Sequence, residues 1–441
     1  MKRAALKKGV NRLPELYRDA CPCCGTNKHP QALDKLPKEY MDQYPDAIKD
    51  AIEKAYNGDT SYDLLKITAE ALKKQVMDNY SKIVFKYEVE DTQMLSNLVN
   101  NVWQFSAAKN YVEMKQFTDL LKDKNGKLRE FSDYKREVEK LGSKYNEIYM
   151  RTEYNFAIAA SQNAARWTEF EKEVDIIPNL KYQTVRDDAV RYEHAILDGT
   201  VKPMKDDWWN RYYPPNGWGC RCEAVQCSDG TPVTKEAQTI GIPKMFETNL
   251  AKQGLIYPKN HPYFKDIPAS ELRKAILYLP AENTYTTLQI GDKFIDVHPL
   301  HGNHELQKNL EACEILLKHD PDAKLKLLPV INEKEKEVKN KFYPKAYVEK
   351  FKNKNADALC NGKVVEFKEP REGSGIENII KKAKEQADIV ILKVPDNVVW
   401  DGEEGIERNV FKRLGHYKGQ DFEVWVMNND ELRKYTPKPK E

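Results

Sequence analysis

The stretch that decides the fold of the C-terminal part is Asp357-Ala358-Leu359-Cys360-Asn361-Gly362-Lys363-Val364-Val365-Glu366-Phe367-Lys368. Two short apolar runs flank Asn361-Gly362, and an Asn-Gly pair between such runs is the strongest short-range hairpin signal, because both residues tolerate the positive φ that a tight turn needs. Asp357 enters on the first strand. Glu366 and Lys368 are two apart on the second, so the alternation of a strand points them to one face. Two carboxylates and a lysine converging on a strand pair match the needs of metal-assisted phosphodiester hydrolysis. Acids hold a divalent cation that polarises phosphate and lowers the pKa of a water. A lysine stabilises charge or orients that water.

Outward from the hairpin, strands and helices alternate. Residues 284–298 (TYTTLQIGDKFIDVH) predict a hairpin around Gly291-Asp292, 305–318 a helix, and 324–331 (KLKLLPVI) a strand. A helix at 375–387, a strand at 388–394, a helix at 403–415 and a strand at 421–427 follow, and the tail KYTPKPKE reads as frayed. This order predicts an α/β sandwich. The first half reads differently. Segments 44–57, 61–78, 92–122 and 129–173 carry helically spaced apolar residues with many charges and few prolines. LKYQTV (180–185) predicts a strand, and 235–283 reads as a proline-punctuated connector.

At 441 residues the chain holds two or three domains. Charged residues make up 32% but balance to a formal net charge of +2, so bulk charge does not coat nucleic acid and a nuclease here relies on a local site. No run of about twenty apolar residues is present, so no membrane insertion is expected. The basic N-terminus lacks the apolar stretch of a secretory signal. Eight cysteines do not form a disulfide framework in this length, and Cys313 and Cys360 read as core thiols. Cys21, Cys23 and Cys24 with His29 hold enough ligands for zinc, yet adjacent cysteines bind one tetrahedral ion awkwardly, and a thiol-bearing arm explains them as well.

Residues 184–222 contain Arg186, Asp188, Arg191, His194, Asp198-Gly199, Pro214-Pro215 and Gly217-Trp218-Gly219-Cys220-Arg221-Cys222, with Arg151-Thr152-Glu153 upstream. This resembles the phage head morphogenesis family typified by the Mu F protein, in a pattern of rare residues at fixed offsets. The resemblance implies a minor head protein, located in the virion or in the cytoplasm of the producing bacterium, with phage portal and head proteins as partners. From the residues alone, His194, Cys220 and Cys222 offer ligands for a structural zinc ion, with Cys227 or Asp198 as a fourth. The same residues also read as pins holding a Trp- and Pro-rich loop on a helical scaffold, and the lack of a Cys-x-x-Cys spacing favours that reading. Trp208, Trp209 and Trp218 read as core or interface anchors.

Asp357 followed after about nine residues by Glu366-x-Lys368 resembles the PD-(D/E)xK nuclease superfamily, with Ala356 in place of the usual proline. The finer resemblance is to the toxin tRNA nuclease domains of contact-dependent inhibition proteins, carried by Glu305, Asn309, Leu327-Leu328-Pro329, Lys354-Asn355 and Asp357 over about 290–430. It implies a restriction-endonuclease-like α/β fold and catalytic residues Asp357, Glu366, Lys368 and Glu305. Asp357, Glu366 and Glu305 would hold Mg²⁺ or another divalent cation. A metal-free route through the ribose 2′-OH, with Lys368 and an acid as base and acid, stays open. Lys382, Arg408 and Lys412 sit among basic groups at helical spacing that could contact phosphates; solvated helix faces look the same. The expected layout is an N-terminal arm (1–60), a mainly α Mu F-like region with a small α+β part (61–235), a connector (236–283) and a nuclease domain (284–441). The implied function is a head protein carrying a nuclease effector that cleaves tRNA in a recipient cytoplasm, with a cognate immunity protein as partner. DNA as substrate, for attack or head-assembly processing, and a purely structural head protein with an inert C-terminal domain are the alternatives.

Overall fold

The computed structural model describes residues 36–228, 230–351, 354–370, 375–395, 399–400 and 405–440, without the side chains of 147, 333 and 334. The chain is multidomain, with an N-terminal helical region and a C-terminal mixed-sheet region. One compact unit comprises Met1–Phe85 and Asn97–Leu279, the other Lys86–Ser96 and Pro280–Glu441. The Cys21, Cys23, Cys24 and His29 cluster lies outside the described residues.

Long helices run Lys38–Tyr56, Asp63–Tyr80, Val89–Asp119, Phe131–Lys144 and Arg151–Glu173. Each follows from apolar residues at three- and four-residue spacing, so that Leu65, Leu72 and Val76 on the second, for example, are fully buried. The segment read as one helix over 129–173 is interrupted by a π turn at Tyr145–Met150. A small antiparallel sheet follows, with strands β1 (Asn179–Gln183), β2 (Val201–Pro203) and β3 (Glu223–Cys227) in the order β2-β1-β3.

The stretch 236–283 is packed, where the sequence reads as a connector. It contains helices Pro262–Asp266 and Ala269–Tyr278, and it groups with the N-terminal unit as far as Leu279. Its fully buried Tyr257 stacks on Phe105 with ring centroids 3.7 Å apart, and the Tyr257 hydroxyl donates to Glu153 O at 2.8 Å. The prolines punctuate turns here rather than mark a flexible linker.

The second unit is built on an eight-stranded mixed sheet. Its strands are β4 (Thr286–Ile290), β5 (Lys293–Val297), β6 (Leu325–Leu327), β7 (Ala358–Cys360), β8 (Lys363–Lys368), β9 (Ile389–Lys393), β10 (Glu423–Asn428) and β11 (Glu431–Tyr435), in the order β11-β10-β9-β8-β7-β6-β5-β4. β5–β6, β8–β9 and β9–β10 are parallel and the other neighbours antiparallel. Asn361 and Gly362 both take positive φ, 51° and 83°, as the β7–β8 hairpin requires. Lys434 and Tyr435, expected in a frayed tail, belong to β11, which pairs with β10. The Lys86–Ser96 segment reaches this unit's other edge, where Gly291 donates its N–H to Tyr87 O at 2.8 Å and Thr92 Oγ1 donates to Gln289 O at 2.6 Å.

Helices Ile376–Ala383 and Ile406–Leu414 share an apolar cluster with Val390, Leu392, Val424 and Val426. Burying each such side chain contributes about 1.5–3 kcal/mol before entropy is counted. Helix Leu306–His319 buries Leu310, Cys313 and Leu316.

Candidate functional site

Asp357 immediately precedes β7 and is locked against β8. Its N–H donates to Val365 O at 3.1 Å, and its Oδ2 accepts the Phe367 N–H at 2.8 Å. Glu366 and Lys368 on β8 sit across from Val390 and Leu392 of β9 and so share their sheet face. Lys368 Nζ donates to Glu366 Oε1. Glu366 is 3% exposed, and its Oε2 has no hydrogen-bond partner among the described residues. Glu305 occupies the N-cap position of helix Leu306–His319, with Asn309 one turn on. Glu305, Asn309, Asp357 and Lys368 all line one cavity of about 260 Å³. Glu366 does not line this cavity.

The electrostatics follow from this crowding. Burial, and then the neighbouring Glu366, push Asp357 up to about 7. Burial also raises Glu366, against the pull of Lys368. For Lys368 burial lowers the pKa, but Glu366 and Asp357 outweigh it and the ammonium is held above its ordinary value. Two buried acids, both raised by burial, beside one ammonium form an oxygen-donor set, and Glu366 Oε2 is left without a hydrogen-bond partner. In donor type the residues fit a hard divalent ion, which takes carboxylate oxygens, but the ligand atoms of Glu305, Asp357 and Glu366 do not all lie within 4.8 Å of one another.

Three neighbours of this site escaped the sequence reading. Lys308 and Lys393 border the same cavity and pair with Glu369, Lys393 also with Glu311. Lys308 could have been found, since it follows Glu305 by three residues on one helix face. His301 is buried, with Nδ1 2.7 Å from Leu328 O and Nε2 3.0 Å from Asn309 Nδ2. Burial lowers its pKa, so the ring is neutral. A carbonyl can only accept, so Nδ1 carries the proton, Nε2 accepts, and the Asn309 amide is fixed with its nitrogen toward His301. Lys382, Arg408 and Lys412 lie on the two helices of the apolar cluster and do not line the cavity; Lys412 pairs with Glu377 at 2.7 Å.

In the helical unit, His194 on helix Tyr192–Leu197 meets Cys220 and Cys222, which lead into β3. His194 Nδ1 is 3.7 Å from Cys220 Sγ and 3.5 Å from Cys222 Sγ, and all three residues are buried. Contact with Cys222, and then with His194, holds the Cys220 thiol well below the usual range despite its burial; Cys222 is raised in turn by Cys220 and by burial. Neither proposed fourth ligand joins them. Cys227 Sγ contacts Asn179 O, and Asp198 is taken up by the Thr184 N–H and Arg186. Of the tryptophans, Trp209 and Trp218 are buried, Trp218 edge-on to Phe156 at 4.9 Å.

Comparison with known proteins divides the chain the same way. Residues 124–225 match the family model of Phage Mu protein F like protein, and residues 354–430 match that of the Contact-dependent growth inhibition CdiA C-terminal domain. The chain is 37% identical over 73 residues to "Putative capsid assembly protein F" of Escherichia phage Mu, covering 17% of this chain and 17% of that protein. It is 37% identical over 67 residues to "Mu-like prophage FluMu F protein" of Haemophilus influenzae (strain ATCC 51907 / DSM 11121 / KW20 / Rd), covering 15% of this chain and 16% of that protein. The chain thus spans well under a fifth of the length of these relatives. No solved structure matches it. No described helix is long and apolar enough to cross a membrane.

Proposed function

We propose that this chain is a Mu F-like, head-associated protein whose C-terminal unit is a cation-dependent nuclease effector, with tRNA the favoured substrate. The observation that carries the reading is the convergence of Asp357, Glu305 and Lys368 on one cavity, backed by buried Glu366 with an unsatisfied oxygen. The match of 354–430 to a toxin-domain family supports an effector role, and the match of 124–225 supports head association.

Asp357, Glu366 and Glu305 would hold the divalent ion, which when bound would polarise the scissile phosphate and acidify a water. Lys368 places a permanent positive charge at the cavity wall, where negative charge develops on the phosphoryl oxygens. The Phe367 N–H fixes the Asp357 carboxylate in one orientation. Lys308 and Lys393 at the cavity, and Lys382, Arg408 and Lys412 farther out, serve as phosphate contacts. The effector acts in a recipient cytoplasm, and the producing cell needs an immunity protein that covers the cavity.

The test uses the full chain, because the Lys86–Ser96 segment belongs to the second unit and a C-terminal fragment would omit it. Purified protein is incubated with total tRNA, plasmid DNA and linear DNA, in Mg²⁺ and in EDTA, beside Asp357→Ala. Cleavage of tRNA that requires Mg²⁺ and Asp357 is the expected result. Cleavage of DNA alone would make the substrate DNA, cleavage of tRNA in EDTA would move the chemistry to the 2′-OH route, and cleavage of neither would leave a structural head protein.

A further inference from the structure

We propose that His194, Cys220 and Cys222 bind one Zn²⁺ ion as a three-ligand site whose fourth position takes an exchangeable water. This site is separate from the nuclease reading and stands if that reading fails.

The argument begins with distances. Zinc binds thiolate at about 2.3 Å and imidazole at about 2.0–2.1 Å in tetrahedral array, which places nitrogen and sulfur ligands about 3.6 Å apart. The two nitrogen–sulfur separations are 3.7 and 3.5 Å, and the three ligand atoms lie within 4.8 Å of one another. Hydrogen bonding does not account for the triangle as well. Nδ1 has one lone pair or one proton for the two sulfurs that converge on it, so they also turn to other partners, Cys222 to Tyr182 and Cys220 to the Asn216 backbone. A shared cation satisfies all three.

The frame around the ligands is stiff. The Arg191 guanidinium donates to Trp218 O in the loop that carries the cysteines. Arg221, between the two cysteines, makes a two-pronged pair with Asp187 at 2.6 and 2.7 Å. His194 and the cysteines lie on separate segments, so an ion bound here would tie the helix Tyr192–Leu197 to the start of β3.

The fourth position follows from the space left over. A cavity of about 20 Å³ touches His194, Cys220 and Cys222 and is bounded by Arg191 and Arg221. That is room for one water, for which about 10–15 Å³ suffices. A Cys-x-Cys pair without a fourth protein ligand is therefore complete with water.

The test is run on the full chain carrying Cys21→Ser, Cys23→Ser and Cys24→Ser, which removes the other cysteine cluster. Protein purified without chelators is assayed for zinc by mass spectrometry, then stripped and reloaded with Co²⁺. We expect about one zinc per chain, falling at least tenfold in Cys220→Ser and Cys222→Ser but unchanged in Cys227→Ser. The Co²⁺ form should show thiolate charge-transfer absorption and tetrahedral d–d bands, and azide should shift those bands by displacing the water. Should the serine variants fail to fold, alkylation mapping of the parent decides. Zinc should protect Cys220 and Cys222 and leave Cys227 equally reactive with and without metal. A parent with neither zinc nor a cobalt–thiolate band, or with metal that protects other cysteines instead, would overturn the site. Bands unmoved by azide would overturn the exchangeable fourth position.

Discussion

The two polar clusters of this chain solve the same problem, packing charge-bearing groups inside a fold, in opposite ways. His194, Cys220 and Cys222 close on one another around about 20 Å³, with soft ligands and loop segments pinned by arginines. Glu305, Asp357 and Lys368 gather at a cavity of about 260 Å³, with hard oxygen donors and an ammonium among them. The first has space for a water; the second has space for part of a polymer. Donor softness and free volume together separate a site sized for one soft-ligated ion and a water from one with room for a larger ligand.

The comparison can be broken most sharply by crossing the substitutions. Lys368→Ala should lower the cleavage rate on the order of 10²–10³-fold, as expected when a charge aimed at the reacting phosphate is lost. Cys222→Ser should leave that rate unchanged in gel-based cleavage while abolishing zinc uptake. Equal loss in both variants would mean that the clusters are not independent.

A smaller effect sharpens the picture of His301. If it orients Asn309, His301→Ala should cost about 10–100-fold in kcat with KM little changed, the range found for residues that hold a ligand-bearing group in place. An effect on KM alone would assign His301 to binding instead.

The next effect is on stability and depends on pH. Asp357 is raised to about 7 in the folded protein, so folding favours its protonated form. Its burial costs nothing below the unfolded value of about 4, costs more as pH rises, and reaches its full penalty above about 7. Asp357→Asn should therefore stabilise the second unit by on the order of 2–4 kcal/mol at pH 8 and by almost nothing at pH 4, read from chemical denaturation. Mg²⁺ should raise the melting temperature of the wild type and leave that of the variant unmoved. The smallest effect belongs to Lys412→Ala. Its exposed pair with Glu377 contributes within about 0.5 kcal/mol, and any loss of cleavage should vanish in high salt.

Legibility in the sequence tracked local determinants. The Asn361-Gly362 turn, the two-residue spacing of Glu366 and Lys368, and the helix after Glu305 were all readable because each rests on neighbours in the chain. The packing of 236–283 was not, since its prolines look the same in a linker as in buried turns; the burial of Tyr257 is a long-range fact. The edge contacts of Tyr87 and Thr92 with β4–β5 were invisible for the same reason. His194, Cys220 and Cys222 were readable as candidate ligands by residue type, yet their spacing did not show that the three side chains come together. Lys393 reaches the cavity through sheet register and His301 meets the cavity residue Asn309 through a cross-element hydrogen bond, neither of which leaves a local pattern.

The most direct test of the proposed nuclease site is the Mg²⁺-dependent cleavage rate of Glu366→Gln, measured against the wild type on the substrate that the wild type cuts. Glutamine keeps the shape and removes the charge whose Oε2 lacks a partner. The account predicts a properly folded protein with cleavage reduced at least a hundredfold, on the order expected when a cation ligand is lost. A folded Glu366→Gln protein that cuts at the wild-type rate would contradict it.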